Sequence, residues 1–135
     1  MNIFINLAIE DLARSRAFFT ALGFSFNEKF CDDQGLGMQI SDTVFAMLLL
    51  PGKFQEFTPR ALAKPKETTE VLTALQYDSR EKVDEIMTIA LNNGGTEVRP
   101  AEEHGFMYGR SFADPDGHIW EPFWFDMSTL EENKE

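Results

Sequence analysis

A chain of 135 residues with 43% hydrophobic side chains has material for one cored domain and too little length for two ordinary ones. A net charge of −11 argues against nucleic acid as a partner, because phosphate binding needs a basic patch. No run approaches the roughly 20 apolar residues of a membrane span, and MNIFINLAIEDLARS lacks the basic and apolar regions expected of a secretory signal.

Ile3 to Ile9 is apolar and β-branched and reads as a strand. Asp11 caps the helix that follows. In LARSRAFFTALGF, Leu12, Ser15/Arg16, Phe18/Phe19 and Leu22 recur at helical spacing, and Gly23 ends the run. Three short strands come next, Phe24–Phe30, Leu36–Ile40 and Thr43–Leu50, with Asp32, Asp33, Gly35, Ser41 and Asp42 in the turns. Cys31, the single cysteine, cannot form an internal disulfide, which fits a reducing cytoplasm. Asp32 and Asp33 beside it disfavour a thiolate, so it reads as an inert cysteine at a strand end.

Residues 51–69, PGKFQEFTPRALAKPKETT, read as a connection with one helical turn near Pro59–Ala63. Connections this long are usually functional or mobile, and Phe54 and Phe57 are candidates to cover a pocket or a partner. The pattern then restarts. Glu70–Tyr77 is a strand, and Ser79 caps a helix with Val83, Ile86/Met87 and Ala90/Leu91 on one face and Gly94-Gly95 at its end. Strands at Thr96–Arg99, Phe106–Phe112 and Ile119–Phe125 follow. The order is βαβββ over 1–50, a linker at 51–69, βαβββ over 70–126 and an acidic, solvated tail at 127–135. The fold class is α+β: one βαβββ unit leaves a sheet face uncovered, and two side by side can curve into a shared cup with helices outside.

One segment raises a chemical question. In FADPDGHIWEPFWF, Pro115 presets φ for a turn, Asp114 can bond the backbone ahead of it, and Gly117 accepts positive φ. Alternation then puts Glu121 on a face with Ile119, Phe123 and Phe125, while His118, Trp120 and Trp124 take the other, the tryptophans under a helix. An unpaired carboxylate there is costly. The doubled βαβββ order, DPDGH with Ile119, Trp120 and Glu121, and NLAIEDLARSRAFFTALGF together resemble the vicinal oxygen chelate superfamily over nearly the whole chain. That superfamily includes glyoxalase I, extradiol dioxygenases and the bleomycin and fosfomycin resistance proteins.

The resemblance implies four cup positions that hold one divalent metal through His, Glu or Gln, the last matching Glu121. The other three fall at Phe4, seven residues before the capping Asp11, at Met47, and at Leu72. None can bind a hard or borderline divalent ion. The expectation is therefore a cup without metal or other cofactor; zinc, nickel, iron or manganese on unorthodox ligands is the alternative.

Other candidates come from the residues themselves. His104, Tyr108 and Arg110 share a face if their strand is regular. His104 joins Glu121 as an acid–base candidate. Arg110 could hold an anionic ligand, but pairing with Glu121 or an aspartate is the stronger expectation. Asn6, on the face of Phe4, is a cup-lining hydrogen bonder. Candidate ligand contacts are thus Phe4, Asn6, Met47, Leu72, Tyr108, Arg110 and Glu121. Thirteen phenylalanines suit an apolar, aromatic small-molecule cavity.

Three functions compete. The first is a metal-free binder of a small cationic or aromatic molecule. The second is a lyase, isomerase or dioxygenase-like enzyme using Glu121. The third is an interaction module whose cup is filled by its own side chains. A homodimer is expected under all three.

Overall fold

The structure, a computed structural model, describes residues 1–132. After Thr68 the chain divides into two compact units.

In the first unit, β1 (Ile3–Ala8) runs into α1 (Leu12–Ala21), whose start is fixed by Asp11: its carboxylate accepts from the Arg14 amide at 3.0 Å. Gly23 ends it at φ +99. β2 (Ser25–Phe26), β3 (Gly35–Gln39) and β4 (Val44–Leu49) complete a mixed sheet in the order β1-β4-β3-β2, with β1 parallel to β4. Ser15, Phe18 and Phe19 of α1 are buried, as are Leu36, Met38, Ala46 and Leu48 of the sheet. Each large apolar side chain in this core contributes roughly 1.5–3 kcal/mol by leaving water.

Two expectations fail here. The strand expected over Phe24–Phe30 stops at Phe26 because the Asn27 side chain accepts from the Lys29 amide at 3.0 Å and turns the chain into a 3-10 turn, Glu28–Phe30. The helical turn expected near Pro59–Ala63 lies earlier, as α2 (Pro51–Gln55), where Pro51 supplies the preset φ of a first helical residue.

The second unit repeats the plan. β5 (Leu72–Tyr77) leads to α3 (Arg80–Asn92), and the Ser79 hydroxyl accepts from the Lys82 amide at 3.1 Å. β6 (Thr96–Glu103), β7 (Met107–Ala113) and β8 (Ile119–Phe125) give the order β5-β8-β7-β6, with β5 parallel to β8. Val83, Ile86, Met87 and Ala90 of α3 are buried, as are Phe112 and Trp120. Trp124 lies at the start of α3, under the Arg80 guanidinium at 4.9 Å.

β6 is longer than the expected Thr96–Arg99: it continues through Pro100 to Glu103, with register shifts on either side of Arg99. The turn before β8 is organised by Asp114. Its Oδ1 accepts from the amides of Asp116 and His118, and its Oδ2 from the Trp120 indole, each at 3.0 Å. A short helix, α4 (Met127–Glu132), opens the segment expected as an acidic tail; residues 133–135 of that tail lie outside the described residues. No helix among the described residues is long and apolar enough to cross a membrane.

Candidate functional site

Each sheet has one face toward its helix and one open face. In the first unit the open face carries Phe4 and Asn6 on β1, paired with Phe45 and Met47 on β4, with Gly37 opposite Met47 on β3. In the second it carries Leu72 and Ala74 on β5, paired with Ile119 and Glu121 on β8. Phe4 and Leu72 each stand seven residues before the side chain that caps the next helix, Asp11 and Ser79. Aligned on those caps, the parallel pairs make Met47 the counterpart of Glu121 and Phe4 the counterpart of Leu72. Phe4 is 52% and Leu72 54% exposed, so neither is core.

Glu121 is not left alone. The Arg99 guanidinium donates through Nη2 to Glu121 Oε2 at 2.9 Å and through Nη1 to Glu102 Oε2 at 3.1 Å. The other oxygen of Glu102 lies 2.8 Å from His104 Nε2. Ser111 is paired with Arg99 and lies level with Glu121, between the Gly109–Phe123 and Ala113–Ile119 pairs. It is fully buried, and its hydroxyl has no hydrogen-bond partner. The bond to Glu121 is the main reason the Arg99 guanidinium is held more firmly protonated than usual. The bond to His104, then Arg99, holds the Glu102 carboxyl below its ordinary range.

The sequence pointed to other partners. Tyr108 and Arg110 lie on the helix side of β7, away from Glu121: Tyr108 Oη donates to Asp84 of α3 at 2.6 Å, and Arg110 binds Asp84 at 3.1 Å and Glu97 at 2.7 Å. The strand face expected to unite them with His104 does not form. His104 precedes the turn at Gly105 (φ +78), outside both β6 and β7, so alternation does not carry across. Arg110 does pair structurally with an aspartate, but Arg99 takes Glu121. Arg99 escaped the sequence reading because β6 was expected to end there, which left its face undefined.

The first unit holds a pocket of about 200 Å³. Gly35, Met47 and Leu49 form its base, Phe30 and Phe57 its aromatic walls, and Asn6, Asp32 and Lys53 its polar edge. The two glycines of β3 make it shapely: a Cβ on Gly37 would lie 2.5 Å from Phe30 Cβ, and one on Gly35 2.6 Å from Leu49 Cδ2. Side chains on neighbouring segments can therefore settle onto the sheet. Phe4 stacks on Phe45, centroids 4.7 Å apart.

In neither unit do the positions that the resemblance assigns to a metal carry donors suited to a divalent ion. Phe4 and Leu72 offer none, Met47 only a thioether, and Glu121 a carboxylate already bound to a guanidinium. No group of three or more His, Cys, Asp or Glu among the described residues is placed to hold a metal.

Comparison with known proteins gives a consistent picture. A family model described as the Glyoxalase/Bleomycin resistance protein/Dioxygenase superfamily matches residues 3–121. Among solved structures, a hypothetical protein from S. aureus is 30% identical, with 90% of this chain and 91% of that one covered and a TM-score of 0.79. A glyoxalase-related enzyme from Fulvimarina pelagi is 25% identical over 92% of this chain and 87% of that one, also at 0.79. A family enzyme from Burkholderia phytofirmans PsJN shares the fold at 20% identity, over 90% and 96% of the two chains, with a TM-score of 0.75. No curated protein matches the sequence.

Proposed function

The chain belongs to the glyoxalase/bleomycin resistance protein/dioxygenase superfamily, and from that premise we propose that it binds a small organic molecule without using a metal ion. One observation carries the reading: the single carboxylate retained at the family's metal positions, Glu121, is engaged by Arg99 at 2.9 Å. A guanidinium is a permanent cation in a fixed fork. It satisfies the carboxylate that a metal would otherwise neutralise. The small, mostly apolar pocket beside Asn6 and Met47 supplies volume for a ligand.

A second reading keeps enzymatic chemistry, as a lyase or isomerase working by acid–base catalysis. The chain of contacts from His104 through Glu102 and Arg99 to Glu121 supports it, since it couples an imidazole to the retained carboxylate. The proposed assembly is a homodimer in the cytoplasm; the exposed apolar side chains Ile3, Phe4, Val71 and Leu72, on or beside the edge strands β1 and β5, support self-association.

Elemental analysis of natively purified, untagged protein tests the main reading. The expected result is no stoichiometric zinc, nickel, iron or manganese, before or after dialysis against those ions, together with ligand-induced thermal shifts in a screen of cationic and aromatic compounds. Near-stoichiometric metal that disappears in Glu121→Ala would overturn it.

A further inference from the structure

We propose that the pocket of the first unit selects a single-ring organic cation, with the ring between Phe30 and Phe57 and the ammonium against Asp32. The inference rests on the small-molecule reading above and assigns its ligand class.

Size comes first. A cavity of about 200 Å³ is below the usual 300–1,000 Å³ of drug-sized sites. It admits one ring with a short substituent. Met47 and Leu49 are apolar and two exposed phenylalanines, Phe30 and Phe57, join them in the lining, so the ring of the ligand is the part this surface rewards.

Charge comes next. Asp32 Oδ1 accepts from the amides of Gln34 at 2.8 Å and Gly35 at 3.0 Å, which fixes the carboxylate in an Asx turn at the pocket edge. Those bonds use one oxygen, and no partner among the described residues holds Oδ2. Lys53, the other charged group at the edge, is balanced: its ammonium lies 3.6 Å from Glu56 and 5.6 Å from the Phe57 ring centroid. The lining therefore offers a carboxylate oxygen open to a ligand, while its one ammonium is drawn toward Glu56 and the Phe57 ring. The chain's net charge of −11 adds long-range attraction for a cation and repels an anion. Asn6 shares the edge, its side-chain amide has no hydrogen-bond partner among the described residues, and it can take a donor or acceptor on the ligand.

The test is ligand-observed NMR titration of the intact protein with benzylamine, benzyl alcohol and benzoate at matched ionic strength. Benzylamine is expected to bind roughly fivefold tighter than benzyl alcohol, the upper range for an exposed ion pair, with benzoate weakest. Asp32→Asn keeps an oxygen for the two turn amides and removes the charge, so it should erase the preference for the amine while benzyl alcohol binds as before. Lys53→Gln, which frees Glu56, should strengthen the preference, and Met47→Trp should abolish binding of all three by filling the cavity. Equal binding of amine and alcohol, or unchanged amine preference in Asp32→Asn, overturns the ligand class and leaves the small-molecule reading standing. Binding of none of the three, or binding retained in Met47→Trp, overturns the pocket assignment. Metal content, measured separately, decides the metal-free reading.

Discussion

Arg99 and Glu121 meet across one intervening strand: Arg99 on β6 is paired with Ser111 on β7, and its guanidinium reaches the Glu121 carboxylate on β8 at 2.9 Å. Removing either partner exposes the other. Arg99→Met and Glu121→Gln should each lower stability by about 1 kcal/mol at neutral pH. Their coupling in a double-mutant cycle should stay below about 1 kcal/mol, because the Arg99 side chain is 40% exposed and solvent screens the pair. Urea unfolding of the four proteins measures it, and a coupling near zero would show that the ion pair is decorative.

The acid limb of stability should show the same network. Glu102 titrates below the ordinary glutamate value of 4.5 because His104 and then Arg99 bond to its charged form. A carboxyl with a depressed folded pKa contributes stability above its unfolded value and loses it as pH falls through the folded one. Carboxyl-carbon NMR titration should therefore place the Glu102 midpoint under 4.5 in the native protein, and His104→Ala should move it upward. A midpoint unmoved by that change would remove His104 from the network.

Asp114 anchors the last hairpin with three accepted bonds from a nearly buried site, 4% exposed. Asp114→Ala leaves two amides and an indole without acceptors and should cost about 2–4 kcal/mol. Asp114→Asn retains one acceptor oxygen and should cost less. Thermal unfolding of both variants orders them.

Gly37 on β3 lies directly against Phe30, one of the pocket's lining residues. A methyl group there meets Phe30 Cβ at 2.5 Å, so Gly37→Ala must push the 3-10 turn off the sheet. The expected loss is about 1–3 kcal/mol, with a changed tryptophan-independent aromatic signal in the NMR of Phe30. No chemical-shift change at Phe30 would mean the turn does not rest on β3.

How far the sequence speaks depends on the range of each interaction. The helices were legible because Asp11 and Ser79 act on amides three residues away, and the buried spacing lies within one segment. The doubled βαβββ order followed from such local signals. Glu121 could be picked out because alternation along β8 is regular. Arg99 could not, since its face is set by register shifts on either side of it, in a strand that alternation alone ends too early. The pocket was half visible: Asn6 and Met47 follow from pairing, whereas Phe30, Asp32 and Lys53 arrive through a side-chain-driven turn and a helix begun by proline.

The shared spacing from strand to helix cap in the two units has a practical reach. Along the parallel strand pairs, each open-face position in one unit has a twin in the other: hydrocarbon or thioether at Phe4 and Met47, hydrocarbon and carboxylate at Leu72 and Glu121. One architecture thus carries its own control experiment. A side chain can be exchanged between twins, and the strain that the scaffold itself imposes can be subtracted from whatever the exchange does to recognition.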